Sequence, residues 1–73
     1  MTIGERIRDA RTRAGYHTGS GFARHIGIRP ETLSRIECGH CDPSLTTLKL
    51  IASGAGAELS WLATGEGAAP EAA

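Results

Sequence analysis

Cys38-Gly39-His40-Cys41 is the stretch whose residue types could hold a metal or cycle a disulfide. A structural zinc site closes on four nitrogen or sulfur ligands. Cys38, His40 and Cys41 offer fewer, and His17 and His25 have no spacing rhythm with them. Only a second copy of the chain, supplying its own Cys38 and Cys41, would complete a shared site. Disulfide catalysis instead wants a Cys-x-x-Cys at a helix N-terminus after a strand, where the helix dipole favours thiolate. Here Cys38 falls at the end of a predicted helix with no strand before it. The expectation is two reduced thiols in a loop, no resident metal and no cofactor. A zinc site shared in a dimer and a reversible disulfide that alters binding are the alternatives.

Guanidinium groups carry the other chemistry. The chain has eight Lys and Arg against eight Asp and Glu, a formal net charge of zero, but the charges are not mixed. Up to Cys38, arginines 6, 8, 11, 13, 24, 29 and 35 stand against Glu5, Asp9, Glu31 and Glu37, an excess of three positive charges. From Gly39 onward Lys49 stands against Asp42, Glu58, Glu66 and Glu71, an excess of three negative charges. A chain polarised in this way can face phosphates with one surface and solvent or a partner with another. The plainer reading is a solvated, arginine-rich face.

Length sets the scale. Seventy-three residues make one domain, and a domain this small buries only about 60% of its unfolded surface, so each large apolar side chain counts. Phe22, Trp61 and Tyr16 are the only aromatics. There is no room for a catalytic domain with a deep pocket, and the expectation is a protein without enzymatic activity. No run of about 18 apolar residues could span a membrane, and the charged stretch from Glu5 to Arg13 has no apolar core of signal-peptide type. A cytoplasmic protein is expected.

The elements that position these groups read as five helices and no strand. Thr2 with Glu5 three residues on is a capping box; Ile3, Ile7, Ala10 and Ala14 follow at helical spacing until Gly15. The second helix runs roughly from Thr18 to Ile26, with Gly19 and Gly21 weakening its start. Pro30, preorganised for a first helical position, opens the third, which runs to about Cys38 before Gly39. Asp42 or Ser44 caps the fourth, with Leu45, Leu48, Ile51 and Ala52 as its buried stripe and Gly54 and Gly56 as its stop. Leu59, Trp61 and Leu62 mark a short fifth. The domain is expected over residues 1–66 and a frayed tail or linker over 67–73. Within this order, Ala23, Gly27, Leu33 and Ile36 sit where two short helices meeting at a sharp turn need them. Ala23 lets the helices lie close, Gly27 supplies a positive φ, and Leu33 and Ile36 anchor the second helix so that its other side faces outward.

Five segments, in order, carry a resemblance: IGERIRDAR at the opening, FARHIGI before the turn, TLSRIECG through the third helix, DPSLTTLKLIA in the fourth and WLATGEG at the end. Over residues 2–66 the chain resembles the DNA-binding domain of phage repressors and Cro proteins, the large bacterial helix-turn-helix family. The resemblance implies an all-α, five-helix bundle of the lambda-repressor type. WLATGEG is similar to the point where many phage repressors pass to a self-cleaving C-terminal domain, so the chain is expected to be a stand-alone regulator or a fragment.

The resemblance also implies a site. In the family the third helix lies in the major groove with its first turns nearest the bases, which here are Arg29, Pro30, Glu31, Thr32 and Arg35. Arg35 would read guanine O6 and N7, Glu31 would accept from cytosine N4, and Thr32 would touch a thymine methyl or a phosphate oxygen. Pro30 replaces the family's usual polar residue and cannot hydrogen-bond a base. Thr18, Gly19 and Ser20 occupy the start of the second helix, where family members grip a phosphate, although the loop before them is one residue longer than usual. Arg11 and Glu37 match positions that form an ion pair beneath the motif, orienting the arginine toward the DNA backbone; the alternative is an ordinary surface pair. Arg24 and His40 are phosphate contacts by position, or solvated side chains. Trp61 and Leu62 are core, dimer surface, or both.

The reading is a sequence-specific transcriptional regulator, in the repressor sense, that binds a palindromic operator on double-stranded DNA as a homodimer. Two alternatives stand. One keeps the fold and DNA binding in an antitoxin, with a toxin as protein partner, or in a controller of a restriction system. The other is a protein-binding adaptor that has lost its DNA surface, favoured by the zero net charge and by Pro30 and Glu31 at the reading end.

Overall fold

A computed structural model describes residues 1–67 and 69 of the chain. The five expected helices form, without strands among the described residues. Helix α1 (Ile3–Arg13) starts at the capping box: the Thr2 hydroxyl accepts from the Glu5 N–H at 3.2 Å, and Glu5 Oε1 accepts from the Thr2 N–H at 2.8 Å. The Thr2 N–H foremost, with the Thr2 side chain second, holds the Glu5 carboxyl below the usual carboxylate range.

Helix α2 (Gly19–Ile26) is capped by Thr18, whose hydroxyl accepts from the Gly21 N–H at 3.2 Å. The longer preceding loop therefore leaves Thr18 as the cap. The helix ends at Gly27, in the left-handed region at φ +82°. The N–H groups of Gly27 and Ile28 both donate to the Ala23 carbonyl at 2.9 Å. Those bonds satisfy an orphan carbonyl of the helix end and fix the turn. Helix α3 (Pro30–Glu37) starts with Pro30 in its first turn, after Arg29, whose side chain makes no capping bond.

Helix α4 (Leu45–Ala55) is capped by Ser44 rather than Asp42, and α5 (Leu59–Thr64) follows. Two expectations for α4 need correction. Leu45 does not belong to the buried stripe: it is 61% exposed, whereas Leu48, Ile51 and Ala52 are buried. Spacing identifies a helix face but not where along it the neighbours begin, and Leu45 lies in the entry turn. Gly54 does not stop the helix, which ends at Gly56 in the left-handed region. A side chain at Gly54 would run into Ile26, so its role is to let α4 approach α2.

Every helix contributes to one core: Ile7 and Ala10, Phe22 and Ala23, Leu33 and Ile36, Leu48, Ile51 and Ala52, and Trp61 and Leu62. The fifth helix is tied down by a buried cation. Arg6 donates from Nε to the Leu62 carbonyl at 2.9 Å, from one terminal nitrogen to Ala63 O at 3.2 Å, and from the other to Met1 O at 2.6 Å. A guanidinium suits a helix C-terminus because the last carbonyls lack intrahelical partners and carry the negative end of the dipole.

The junction of α1 with the end of α3 is closer still. A Cβ on Gly4 would stand 2.5 Å from the Glu37 carbonyl oxygen and 2.7 Å from that of Ile36, so glycine is required for α3 to approach this far. Beside it, Glu37 and Arg11 pair side-on. Arg11 Nε donates to Oε2 at 2.8 Å, a terminal nitrogen donates to Oε1 at 3.2 Å, and the other terminal nitrogen donates to the Tyr16 carbonyl at 2.8 Å. The pair is not an ordinary surface one: the side chains retain 10% and 5% of their exposure.

Two stability outcomes follow. Gly4→Ala should lower stability by about 1–3 kcal/mol despite alanine's better helix propensity, since the obstruction is backbone; equal denaturation midpoints would show that the junction has slack. Glu37→Ala should cost about 3–5 kcal/mol, because the Arg11 charge is then buried without its counter-ion. Chemical denaturation of each variant checks both.

Candidate nucleic-acid interface

The outward side of α3 is set by its inward one. Leu33, Ile36 and Glu37 are buried, which leaves Glu31, Thr32, Ser34 and Arg35 exposed. A surface cleft of about 290 Å³ is lined by Arg29, Glu31, Thr32 and Arg35. Neither Arg29, Glu31 nor Arg35 makes a side-chain hydrogen bond or ion pair among the described residues. Their polar groups therefore face water with unused bonding capacity.

A second cleft, about 280 Å³, is lined by Gly19 and Ser20 of α2, Pro30, Ser34 and Glu37 of α3, and Arg8 and Arg11 of α1. Helix geometry leaves the Gly19 and Ser20 N–H groups without intrahelical acceptors, and α2 carries no acidic residue in its first turn. Pro30 thus contributes shape rather than a donor, as its chemistry requires.

The structure sorts the expected residues. Arg29, Glu31, Thr32 and Arg35 share the first cleft, and Gly19, Ser20, Pro30 and Arg11 share the second. Thr18 is exposed as the α2 cap, and Arg24 is exposed in the last turn of α2. His40 lies exposed in the turn after α3, its N–H donating to the Arg35 carbonyl at 2.9 Å. None of these three lines either cleft. Arg11 sits beneath the second cleft with all three guanidinium nitrogens engaged. Two lining residues, Arg8 and Ser34, escaped the sequence reading. Arg8 lies one helical turn before Arg11 and Ser34 one turn beyond Pro30, but only the packing of α1 against α3 brings the two to one cleft.

The candidate metal ligands do not converge. Among the described residues no group of three or more His, Cys, Asp or Glu side chains could hold a metal ion, so Cys38, His40 and Cys41 do not form such a set. Their turn serves to end α3, through Gly39 at φ +82° and the His40 N–H on Arg35 O. Both cysteines are exposed free thiols. Trp61 is 7% exposed and Leu62 fully buried, so both are core and neither presents a surface to a second copy. No helix of the described residues is long and apolar enough to cross a membrane.

Comparison with known proteins agrees with this geometry. A family model described as a helix-turn-helix domain matches residues 2–63. An uncharacterized HTH-type transcriptional regulator of Haemophilus influenzae is 43% identical over 47 residues, which cover 64% of this chain and 20% of that protein. The chain thus spans about a fifth of the length of that curated relative. The crystal structure of the P22 c2 repressor protein in complex with a synthetic operator has a similar fold, with a TM-score of 0.81 at 20% identity, covering 90% of this chain and 98% of that one. With its five helices, its glycine turn between α2 and α3, and a family match over most of its length, the chain belongs to the helix-turn-helix domain family and has the phage-repressor and Cro type of fold.

Proposed function

We propose that this domain is a sequence-specific transcriptional regulator, acting as a repressor, that binds double-stranded DNA with α3 in the major groove. The observation that carries the reading is the outward face of α3, where Arg29, Glu31 and Arg35 have no partner among the described residues and border one cleft. A surface chosen only for solubility would gain from pairing Glu31 with Arg35 one turn on, the favourable i, i+4 orientation, yet the two make no ion pair among the described residues. Arg35 bonds guanine O6 and N7 in a bidentate fork, Glu31 accepts from cytosine N4, and Thr32 meets a thymine methyl or a phosphate. With Pro30 unable to read a base, specificity rests on these side chains and on DNA shape.

The second cleft takes the backbone. Gly19 and Ser20, beside the Thr18 cap, hold a phosphate at the start of α2, through N–H groups left free by helix geometry and the positive end of the helix dipole. Arg24 and His40, both exposed, are phosphate contacts at the edges of this face. Arg11 positions the neighbouring groups from below. A single module of this size buries about 600–1,000 Å² on DNA, too little for a tight operator complex alone, so two copies bind a two-fold site. Trp61 and Leu62, being core, leave that contact to other residues.

Selection from a pool of random duplexes, with sequencing of what is retained, tests the reading: an enriched palindrome supports it, and no enrichment at low salt identifies a protein-binding adaptor of the same fold. On the enriched sequence, Arg35→Ala should cost about 1–3 kcal/mol and relax base preference at one position per half-site. Equal losses on the enriched and on random DNA would remove Arg35 from base readout.

A further inference from the structure

We propose that Arg8 is a displaceable phosphate ligand, parked on Glu37 in the free protein and transferred to a DNA backbone phosphate in the complex; this rests on the DNA-binding reading above. Three observations meet at the second cleft. The first is charge. Arg8 and Arg11 both reach Glu37, so two guanidiniums share one carboxylate and one positive charge is left over.

The second is the inequality of the two pairs. Arg11 holds both carboxylate oxygens, at 2.8 and 3.2 Å, and is nearly buried. Arg8 reaches only Oε1, at 3.3 Å, the oxygen that Arg11 already uses, and its side chain is 56% exposed. An exposed pair of this kind contributes little. Releasing it leaves Glu37 satisfied by Arg11, so no buried charge loses its partner. The terminal nitrogens of Arg8 have no acceptor among the described residues.

The third is the remaining lining. Ser20 and Ser34 border the same cleft, both exposed, and neither hydroxyl has a hydrogen-bond partner among the described residues. A surplus guanidinium and two idle hydroxyls around a space of about 280 Å³ form a donor set for a tetrahedral oxyanion. A phosphodiester offers Arg8 two oxygens in fork geometry where Glu37 offers part of one.

Binding of a short random-sequence duplex, followed across salt concentrations for the wild-type chain, Arg8→Gln and Arg8→Lys, decides the matter. Arg8→Gln should reduce the slope of log affinity against log salt by about 0.9, which is roughly eightfold weaker binding at about 0.1 M salt with the gap closing toward 1 M. Arg8→Lys should keep most of the slope, since it keeps the charge. Arg8→Gln should melt within a few degrees of the wild type. An unchanged slope in Arg8→Gln overturns the proposal while leaving DNA binding intact. A large loss of melting temperature overturns it as well, because Arg8 would then be a fixed support. A wild-type chain that binds without salt dependence overturns the DNA-binding reading itself.

Discussion

The side-on pair of Arg11 with Glu37 is the interaction on which the rest of the structure depends. It joins α1 to the last residue of α3 at the place where Gly4 lets the two backbones approach. A buried ion pair is weak evidence for net stability, because desolvation offsets much of its Coulomb energy. Its value here is geometric. The carboxylate fixes how α3 is rotated about its axis, and that rotation decides which side chains look outward. Because Leu33 and Ile36 fix the same rotation from the apolar side, packing and electrostatics specify one orientation.

With α3 held at its end, the turn holds it at its start. Gly27 takes the left-handed conformation, and the N–H groups of Gly27 and Ile28 converge on the Ala23 carbonyl. The helix between these anchors has little freedom, and its outer face carries groups left unpaired among the described residues. Charge follows the same division. Arg6 is spent inside on the end of α5, and Arg11 inside on Glu37 and Tyr16, so a net count over the chain says little about the surface. Arg8, Arg24, Arg29 and Arg35 remain outside, in the half that includes α2 and α3. A formal charge of zero is therefore compatible with a positive working face.

Much of this was legible in the residues, for physical reasons that differ by position. The capping box at Thr2 and Glu5, Pro30 in the first turn of α3 and the positive φ at Gly27 are local, decided within a few residues of chain, and each appears where expected. Leu45 and Gly54 failed the same reading because their roles are set by which helix lies across from them. Gly4 was silent for that reason too: nothing near it in sequence shows that the end of α3 will rest on it. Arg8 and Ser34 were overlooked because each belongs to the interface only once α1 and the middle of α3 are brought to the same cleft. The Cys-Gly-His-Cys run has spacing suited to ligands, but the same spacing suits a turn that ends a helix, and that is where it lies.

On the proposed function, one face, α3 together with the start of α2, meets DNA while α4 and α5 only support it. Mapping backbone amide shifts during titration with a short duplex tests this most directly. The largest changes are expected at residues 18–20 and 29–35, with α4 and α5 nearly unmoved. Changes concentrated on α4 and α5, with α3 silent, would contradict it.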